Sequence, residues 1–338
     1  MRYIYGMETK TPITLIDAVR YFADPDVCLQ TIIKVRWPDG VKCPTCGSEK
    51  VGFLANQSRW QCSTKHPKRQ FSAKLGTIFE DSPISLDKWL PVVWLLTNCK
   101  NGISSYEVAR DLGVTQKTAW FMLQRVRLAM QAGSFWNKLE GEIEADETFI
   151  GGLARNMHKN KKGKITGTGG FGSGKAVVMG LLDRKSKQVR IIHVPNVQRD
   201  TLQTQVRKYV QGGSYLVTDA WLGYHGLDRE YVHQVIDHAE TYVQGNVHTN
   251  GIENFWSLLK RGLKGTYVSV EPFHLFRYLD EQAFRFNNRK TDDGDRFIRA
   301  LSQVTGRRLT YKQLTGKIEL AASPREALHR CFGSCINS

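Results

Sequence analysis

Glu142-Ile-Glu-Ala-Asp146-Glu-Thr-Phe-Ile-Gly-Gly152 alternates acidic and apolar side chains, so a strand over Ile143–Phe149 places Glu144 and Asp146 on one face and Ile143 and Ala145 on the other. Four more strand-like stretches follow, Ala176–Leu182, Val189–Val194, Tyr215–Thr218 and Tyr231–Ile236, interleaved with residues at helical spacing. Strands alternating with helices predict a mixed α/β unit over 139–290, large enough to be a catalytic domain.

Upstream the texture changes. Residues 1–40 read as a helical lead-in, with Leu15, Ala18, Val19 and Phe22 at helical spacing, then Cys28, Leu29, Ile32 and Ile33 before the turn Trp37-Pro-Asp-Gly40. Residues 41–82 are short and turn-rich. They carry Cys43-Pro-Thr-Cys46 and Cys62-Ser-Thr-Lys-His66, two ligand pairs separated by residues 47 to 61, and a Cys3His zinc site would staple a segment too small to build its own core. Cys28 and Cys99 lie in apolar patterns and read as buried thiols, whereas Cys331 and Cys335 lack a second pair. Residues 83–138 are helical, broken at Asn101-Gly102 and at Gly113. Within them Ser104–Leu112, a turn at Gly113, Thr115 as N-cap and a second helix starting Gln116-Lys117-Thr118 have the order of a helix-turn-helix, whose second helix offers its first residues to the DNA major groove. Residues 291–338 read as a polar C-terminal tail.

The 338 residues are 41% apolar and 24% charged, which excludes a disordered or collagen-like chain and predicts two or three folded units. Forty-eight Lys and Arg against 32 Asp and Glu give a net charge of +16, a field that attracts a polyanion and makes nucleic acid the first candidate partner. The longest apolar runs, such as Trp89–Leu96, are too short to span a bilayer, and the N-terminus lacks the order of a signal peptide. A soluble cytoplasmic protein without membrane contact is expected. Lys159–Lys175 reads as a mobile basic loop. Its Gly169-Gly-Phe-Gly-Ser-Gly-Lys175 imitates a phosphate loop, but Ala176 stands where a hydroxyl must hold magnesium and a strand follows instead of a helix, so nucleotide binding is rejected.

Two further acids stand out. Asp219 ends the apolar strand Ser214–Thr218, where a carboxylate can project into a cleft. Glu253 begins a helix whose stripe Ile252, Phe255, Trp256, Leu259 and Leu263 would be buried, leaving Glu253, Ser257, Lys260 and Lys264 together on another face. Two magnesium ions ~3.5–4 Å apart, which clamp the attacking and leaving oxygens in phosphodiester chemistry, need carboxylates gathered from separate elements. Asp146, Asp219 and Glu253 can supply them, with residues 220 to 252 between the last two.

Cys43-Pro-Thr-Cys46-Gly, Gln70-Phe-Ser, Gly76-Thr-Ile-Phe-Glu80, Ala145-Asp-Glu-Thr-Phe-Ile-Gly-Gly152, Val217-Thr-Asp219, His248-Thr-Asn-Gly-Ile-Glu-Asn-Phe-Trp-Ser-Leu-Leu-Lys-Arg261 and Phe284-Arg-Phe-Asn-Asn-Arg289 together resemble DDE-type insertion-sequence transposases. The similarity, over about 15–290, is to the subgroup with an N-terminal zinc ribbon ahead of a ribonuclease H-like domain. It implies that Asp146, Asp219 and Glu253 bind two Mg2+ (or Mn2+) ions, that Lys260 contacts DNA near the cleaved phosphate, and that the double-stranded substrates are the terminal inverted repeats of the element and a target. Some relatives carry Asn at the third catalytic position, which brings Asn250 in as an alternative ligand to Glu253; a charged oxygen holds magnesium better than an amide. The second zinc pair of this family is usually two cysteines, where this chain has Cys62 and His66. Gln116, Lys117, Thr118, Lys260, Arg261 and Lys264 are the expected DNA contacts, and a homodimer or higher assembly acting at the bacterial nucleoid is expected because two ends must be joined. The other readings are a ribonuclease H-like nuclease without strand transfer and a non-catalytic DNA-binding regulator.

Overall fold

The computed structural model describes residues 11–131, 137–151, 174–236 and 248–317. The chain divides into two compact units, one of residues 1–130 with 288–317 and one of 131–287 with 318–338.

The first unit begins with α1 (Leu15–Phe22), opened by a capping box between Thr14 and Asp17, and α2 (Pro25–Arg36), capped by Asp24 with Pro25 in the first turn. Ala18 and Phe22 of α1 are buried, but Leu15 and Val19 are 53% and 61% exposed. Leu15, Ile16, Ala18, Val19 and Phe22 leave α1 with two apolar sides, of which that of Ala18 and Phe22 is buried.

β1 (Val51–Leu54), β2 (Arg59–Cys62) and β3 (Gln70–Phe71) form an antiparallel sheet, with Trp60 stacked on Phe71 and edge-on to Trp37. Cys28 is buried as expected; Cys99 is only partly so. α3 (Leu86–Asn98) buries Trp89, Leu90, Val92, Val93, Trp94 and Leu96, and α4 (Ser105–Leu112) is closed by Gly113 at φ +61°, a left-handed conformation that glycine adopts without strain. α5 (Gln116–Ala129) then starts from Thr115, whose hydroxyl accepts the Thr118 N–H at 3.2 Å.

Residues 293–317, expected as part of a polar tail, fold into this unit. The helix Asp293–Ser302 packs on α3, sets Phe297 against Phe22 and Trp94, and ties Arg296 Nε to Asn98 Oδ1 at 3.0 Å. Arg125 of α5 reaches the carbonyls of Ile78, Glu80 and Leu309, so the buried guanidinium is met by backbone acceptors.

The second unit is a five-stranded sheet of β4 (Glu142–Ile150), β5 (Ala176–Asp183), β6 (Val189–Val194), β7 (Tyr215–Asp219) and β8 (Val232–Ile236), in the order β6-β5-β4-β7-β8. β4, β5 and β6 are antiparallel; β7 and β8 run parallel to β4. This is the mixed α/β unit expected from the alternation of strands and helices, in the ribonuclease H-like form that the family resemblance implies. β5 is apolar throughout because it is central and covered on both faces.

One face carries α6 (Arg199–Tyr209), whose Leu202, Val206 and Tyr209 share a core with Ile143, Ala145 and Leu216. The other carries α7 (Asn250–Gly262) and α8 (Leu275–Asn287), whose Ile252, Phe255, Trp256, Leu259, Leu279 and Phe286 pack on Val178, Leu182, Val189 and Ile191. Glu144 and Asp146 therefore look toward α7, while Ile143 and Ala145 look toward α6. The basic loop expected over 159–175 lies, up to residue 173, outside the described residues, as do Cys331 and Cys335.

Candidate active site and zinc centre

Asp146 and Asp219 reach the same place by the same route. β4 and β7 pair in parallel from Glu142 opposite Tyr215 to Glu144 opposite Val217, and each acid stands two residues beyond the last of these pairs, on the α7 face. Asp219 ends β7, and its Oδ1 accepts the Trp221 N–H at 3.2 Å.

Asp146 is opposite Gly180 in the β4–β5 register. A Cβ on Gly180 would lie 2.6 Å from Trp256 Cζ2 and 2.7 Å from Ile252 Cδ1, so the bare backbone lets α7 lie directly on β5. That closeness brings Trp256 Nε1 to 2.9 Å from Asp146 Oδ2, while the Glu147 N–H donates to Oδ1 at 2.8 Å.

Glu253 is in the first turn of α7, and the Thr249 hydroxyl donates to its Oε1 at 2.8 Å. Ser257, Lys260, Arg261 and Lys264 are exposed, and the apolar stripe from Ile252 to Leu259 is buried, so the two faces of α7 fall as its periodicity predicts. Past Gly262 the helix widens into a π-turn over Leu263–Tyr267, a change of register that carries Lys264 and that apolar spacing does not reveal. Asn250 is the exposed first residue of α7.

The electrostatics mark these acids as a group. Burial pushes the Asp146 carboxyl up to about 6, helped by the charges of Asp219 and Glu253 and opposed by its hydrogen bonds to Trp256 and Glu147. Glu147, on the opposite face, is held well above the ordinary carboxylate range by burial and by Asp219 and Asp146; its carboxyl accepts the Tyr224 hydroxyl. A buried carboxyl held up in this way is what a divalent cation relieves, and an all-oxygen donor set suits magnesium or manganese. Asp146, Asp219 and Glu253 have donor oxygens of that kind.

Glu144, two residues before Asp146, is buried and takes a different part. It pairs with Arg184 at 2.8 Å and accepts the Ile252 N–H at 2.8 Å. Nothing in the alternation of β4 assigns it this role, because both partners come from distant segments.

The candidate zinc ligands form a second cluster. One ligand atom from each of Cys43, Cys46, Cys62 and His66 lies within 4.8 Å of the others, with Cys43 Sγ 3.4 Å from His66 Nε2 and Cys46 Sγ 3.6 Å from Cys62 Sγ. Zinc–sulfur bonds of ~2.3 Å in a tetrahedron put ligand atoms about 3.8 Å apart, so the cluster has the right size. Gly47 at φ +74° closes the first turn, its N–H donating to the Cys43 carbonyl at 2.8 Å. Burial raises the Cys62 thiol, but hydrogen bonds from His66, Thr64 and Cys46 outweigh it and bring it down to about 6, favouring the thiolate that zinc binds.

In the helix-turn-helix region, Gln116 Nε2 donates to Ser105 Oγ at 2.8 Å, Lys117 Nζ lies 4.8 Å from the Tyr311 ring centre, and Thr118 shares a hydrogen bond with Thr115. Among the described residues no helix is long and apolar enough to cross a membrane.

Comparison with known proteins agrees with this architecture. Residues 24–64, which hold Cys43, Cys46 and Cys62, match the transposase zinc-ribbon domain; His66 lies just beyond the match. Residues 138–287, which hold the sheet and the three acids, match the ISXO2-like transposase domain. A protein of the transposable element ISH50 of Halobacterium salinarum, itself uncharacterized, is 27% identical over 256 residues, covering 72% of this chain and 85% of that one. An uncharacterized transposase-like protein of Haemophilus influenzae is 36% identical over 102 residues, 30% of this chain and 82% of its own length. With its zinc ribbon, its mixed α/β unit and these relatives, the chain belongs to the ISXO2-like insertion-sequence transposases.

Proposed function

We propose that the protein cuts and joins the ends of its insertion sequence, with Asp146, Asp219 and Glu253 holding two Mg2+ or Mn2+ ions. The observation that carries this reading is the convergence of the three acids, from β4, the end of β7 and α7, closely enough for the charges of Asp219 and Glu253 to act on Asp146. Divalent ions held there supply activation of a hydroxyl nucleophile and neutralisation of charge at phosphorus.

The protein's own groups do the rest. Trp256 and the Glu147 N–H fix both oxygens of Asp146, and Thr249 orients Glu253. Lys260, Arg261 and Lys264 neutralise DNA phosphates beside the acids, and Lys260 sits two turns, about 10 Å, along α7 from Glu253. Water cleaves the phosphodiester at the element end, releasing a 3′-hydroxyl that attacks a target phosphodiester in line and displaces a target 3′-hydroxyl. Gln116, Lys117 and Thr118 read the terminal repeats from the start of α5, and a dimer or larger assembly brings two ends together. Glu253 is the third ligand in preference to Asn250, because its charge bears on Asp146.

A strand-transfer assay with labelled end DNA and a target plasmid tests this. Joined products that disappear in Asp219→Ala support the reading. Cleavage without joining favours a nuclease, and DNA binding with neither reaction, unaffected by Asp219→Ala, favours a regulator.

A further inference from the structure

Glu144 carries a charge that the chemistry above does not use, yet it is 1% exposed and sits on the same strand face as Asp146, two residues away. A carboxylate is buried at high cost unless it is paired and hydrogen-bonded, and Glu144 is both. Its Oε1 takes the Arg184 guanidinium at 2.8 Å, and its Oε2 takes the Ile252 N–H, also at 2.8 Å. Arg184 in turn donates to the His248 carbonyl and lies 3.1 Å from His248 Nδ1.

The first N–H groups of a helix have no partner inside it and normally find one on the N-cap side chain. α7 lacks that local cap: Thr249 occupies the position, but its hydroxyl is turned to Glu253. Glu144 supplies the missing acceptor from across the sheet, and negative charge is favoured at a helix N-terminus. Gly251 makes the approach possible, since a Cβ there would lie 2.7 Å from Glu144 Oε2 and 3.1 Å from Oε1.

We infer that Glu144 is a positioning residue: it caps α7 from β4, and by holding Ile252 it sets the neighbouring Glu253 relative to Asp146. One carboxylate thus links the strand that bears the first metal-binding acid to the helix that bears the third. His248, Thr249, Gly251 and Ile252 each have a part in that joint, which gives a physical reason for their sequence before Glu253. This inference rests on the proposed metal site.

The test is Mn2+ affinity of the full chain without DNA, measured by the electron paramagnetic resonance of free Mn2+, for wild type, Asp219→Ala, Gly251→Ala and Glu144→Gln. Gly251→Ala keeps every charge and adds a good helix former, so a merely structural joint predicts unchanged binding. A positioning joint predicts that Gly251→Ala melts within about 4 °C of wild type while Mn2+ binding weakens about 10–100-fold. Glu144→Gln, which removes the charge but keeps one acceptor, should also weaken binding. Wild-type Mn2+ affinity in a folded Gly251→Ala overturns the positioning role on its own, provided that wild-type binding depends on Asp219. If wild type shows no binding that Asp219→Ala abolishes, the metal site itself is wrong and this role falls with it.

Discussion

Asp146→Asn should make the metal-free protein more stable at the same time as it abolishes catalysis. In the fold the Asp146 carboxyl is pushed from the ordinary 3.8 to about 6. That difference corresponds to about 3 kcal/mol by which the ionised site opposes folding. The sign follows from the direction of the shift. A carboxyl raised by folding carries no penalty below about 4, gathers it as pH climbs toward 6 and bears all of it above, so roughly half is present at pH 5. Asparagine removes the charge but gives up one of two accepted hydrogen bonds, which takes back about 1 kcal/mol. The net gain at pH 8 is about 2 kcal/mol, equivalent to ~4–8 °C in the melting of a unit of this size. Differential scanning calorimetry without metal, at pH 5 and pH 8, reads this directly. Millimolar Mn2+ should then stabilise wild type and leave the variant unmoved, reversing their order. A variant no more stable than wild type at pH 8, or one with the same advantage at both pH values, would refute the argument that burial, helped by neighbouring negative charge, makes the ionised Asp146 a cost that a cation relieves.

Gly180→Ala should destabilise the second unit by about 1–3 kcal/mol, because the new methyl meets Trp256 and Ile252 at under 3 Å in a filled core. Strand transfer should fall further than stability as Trp256 is pushed off Asp146, so full activity in a folded variant would count against that contact. At the zinc ribbon, roughly 10–16 kcal/mol of structural zinc binding shared by four ligands gives about 3 per ligand, so His66→Ala should lose affinity more than a hundredfold in a chelator competition. His66→Cys should retain one equivalent of zinc, and retention by His66→Ala as well would remove His66 from the ligand set.

What the sequence tells about this protein depends on how local each signal is. The strands of the second unit are legible because alternation in β4 and the apolar run of β5 each reflect the faces they bury. The buried stripe of α7 is legible for the same reason. Glu144 is not, since its partners Arg184 and Ile252 stand 40 and 108 residues away, and only its shared face with Asp146 and a glycine in the first turn of α7 hinted at a close approach. The helix Asp293–Ser302 was within reach: Phe297, Ala300, Leu301 and Val304 have the spacing of a buried stripe, but the intervening acids and arginines make the segment read as polar. In α1 the opposite holds. Apolar residues on two sides let periodicity predict the helix but not that Leu15 and Val19 would be its exposed flank.

Because residues 288–317 complete the unit of residues 1–130, the segment 131–287 that carries the five-stranded sheet is inserted within another fold. A ribosome making this chain at about 5–20 residues per second releases the whole of 131–287 before Phe297 and Leu309 emerge to close the core around Trp94 and Arg125. The core of the zinc-bearing unit therefore closes only after the whole of 131–287 has been made. A product terminated before Phe297 keeps the whole of 131–287 but leaves the core around Trp94 and Arg125 incomplete.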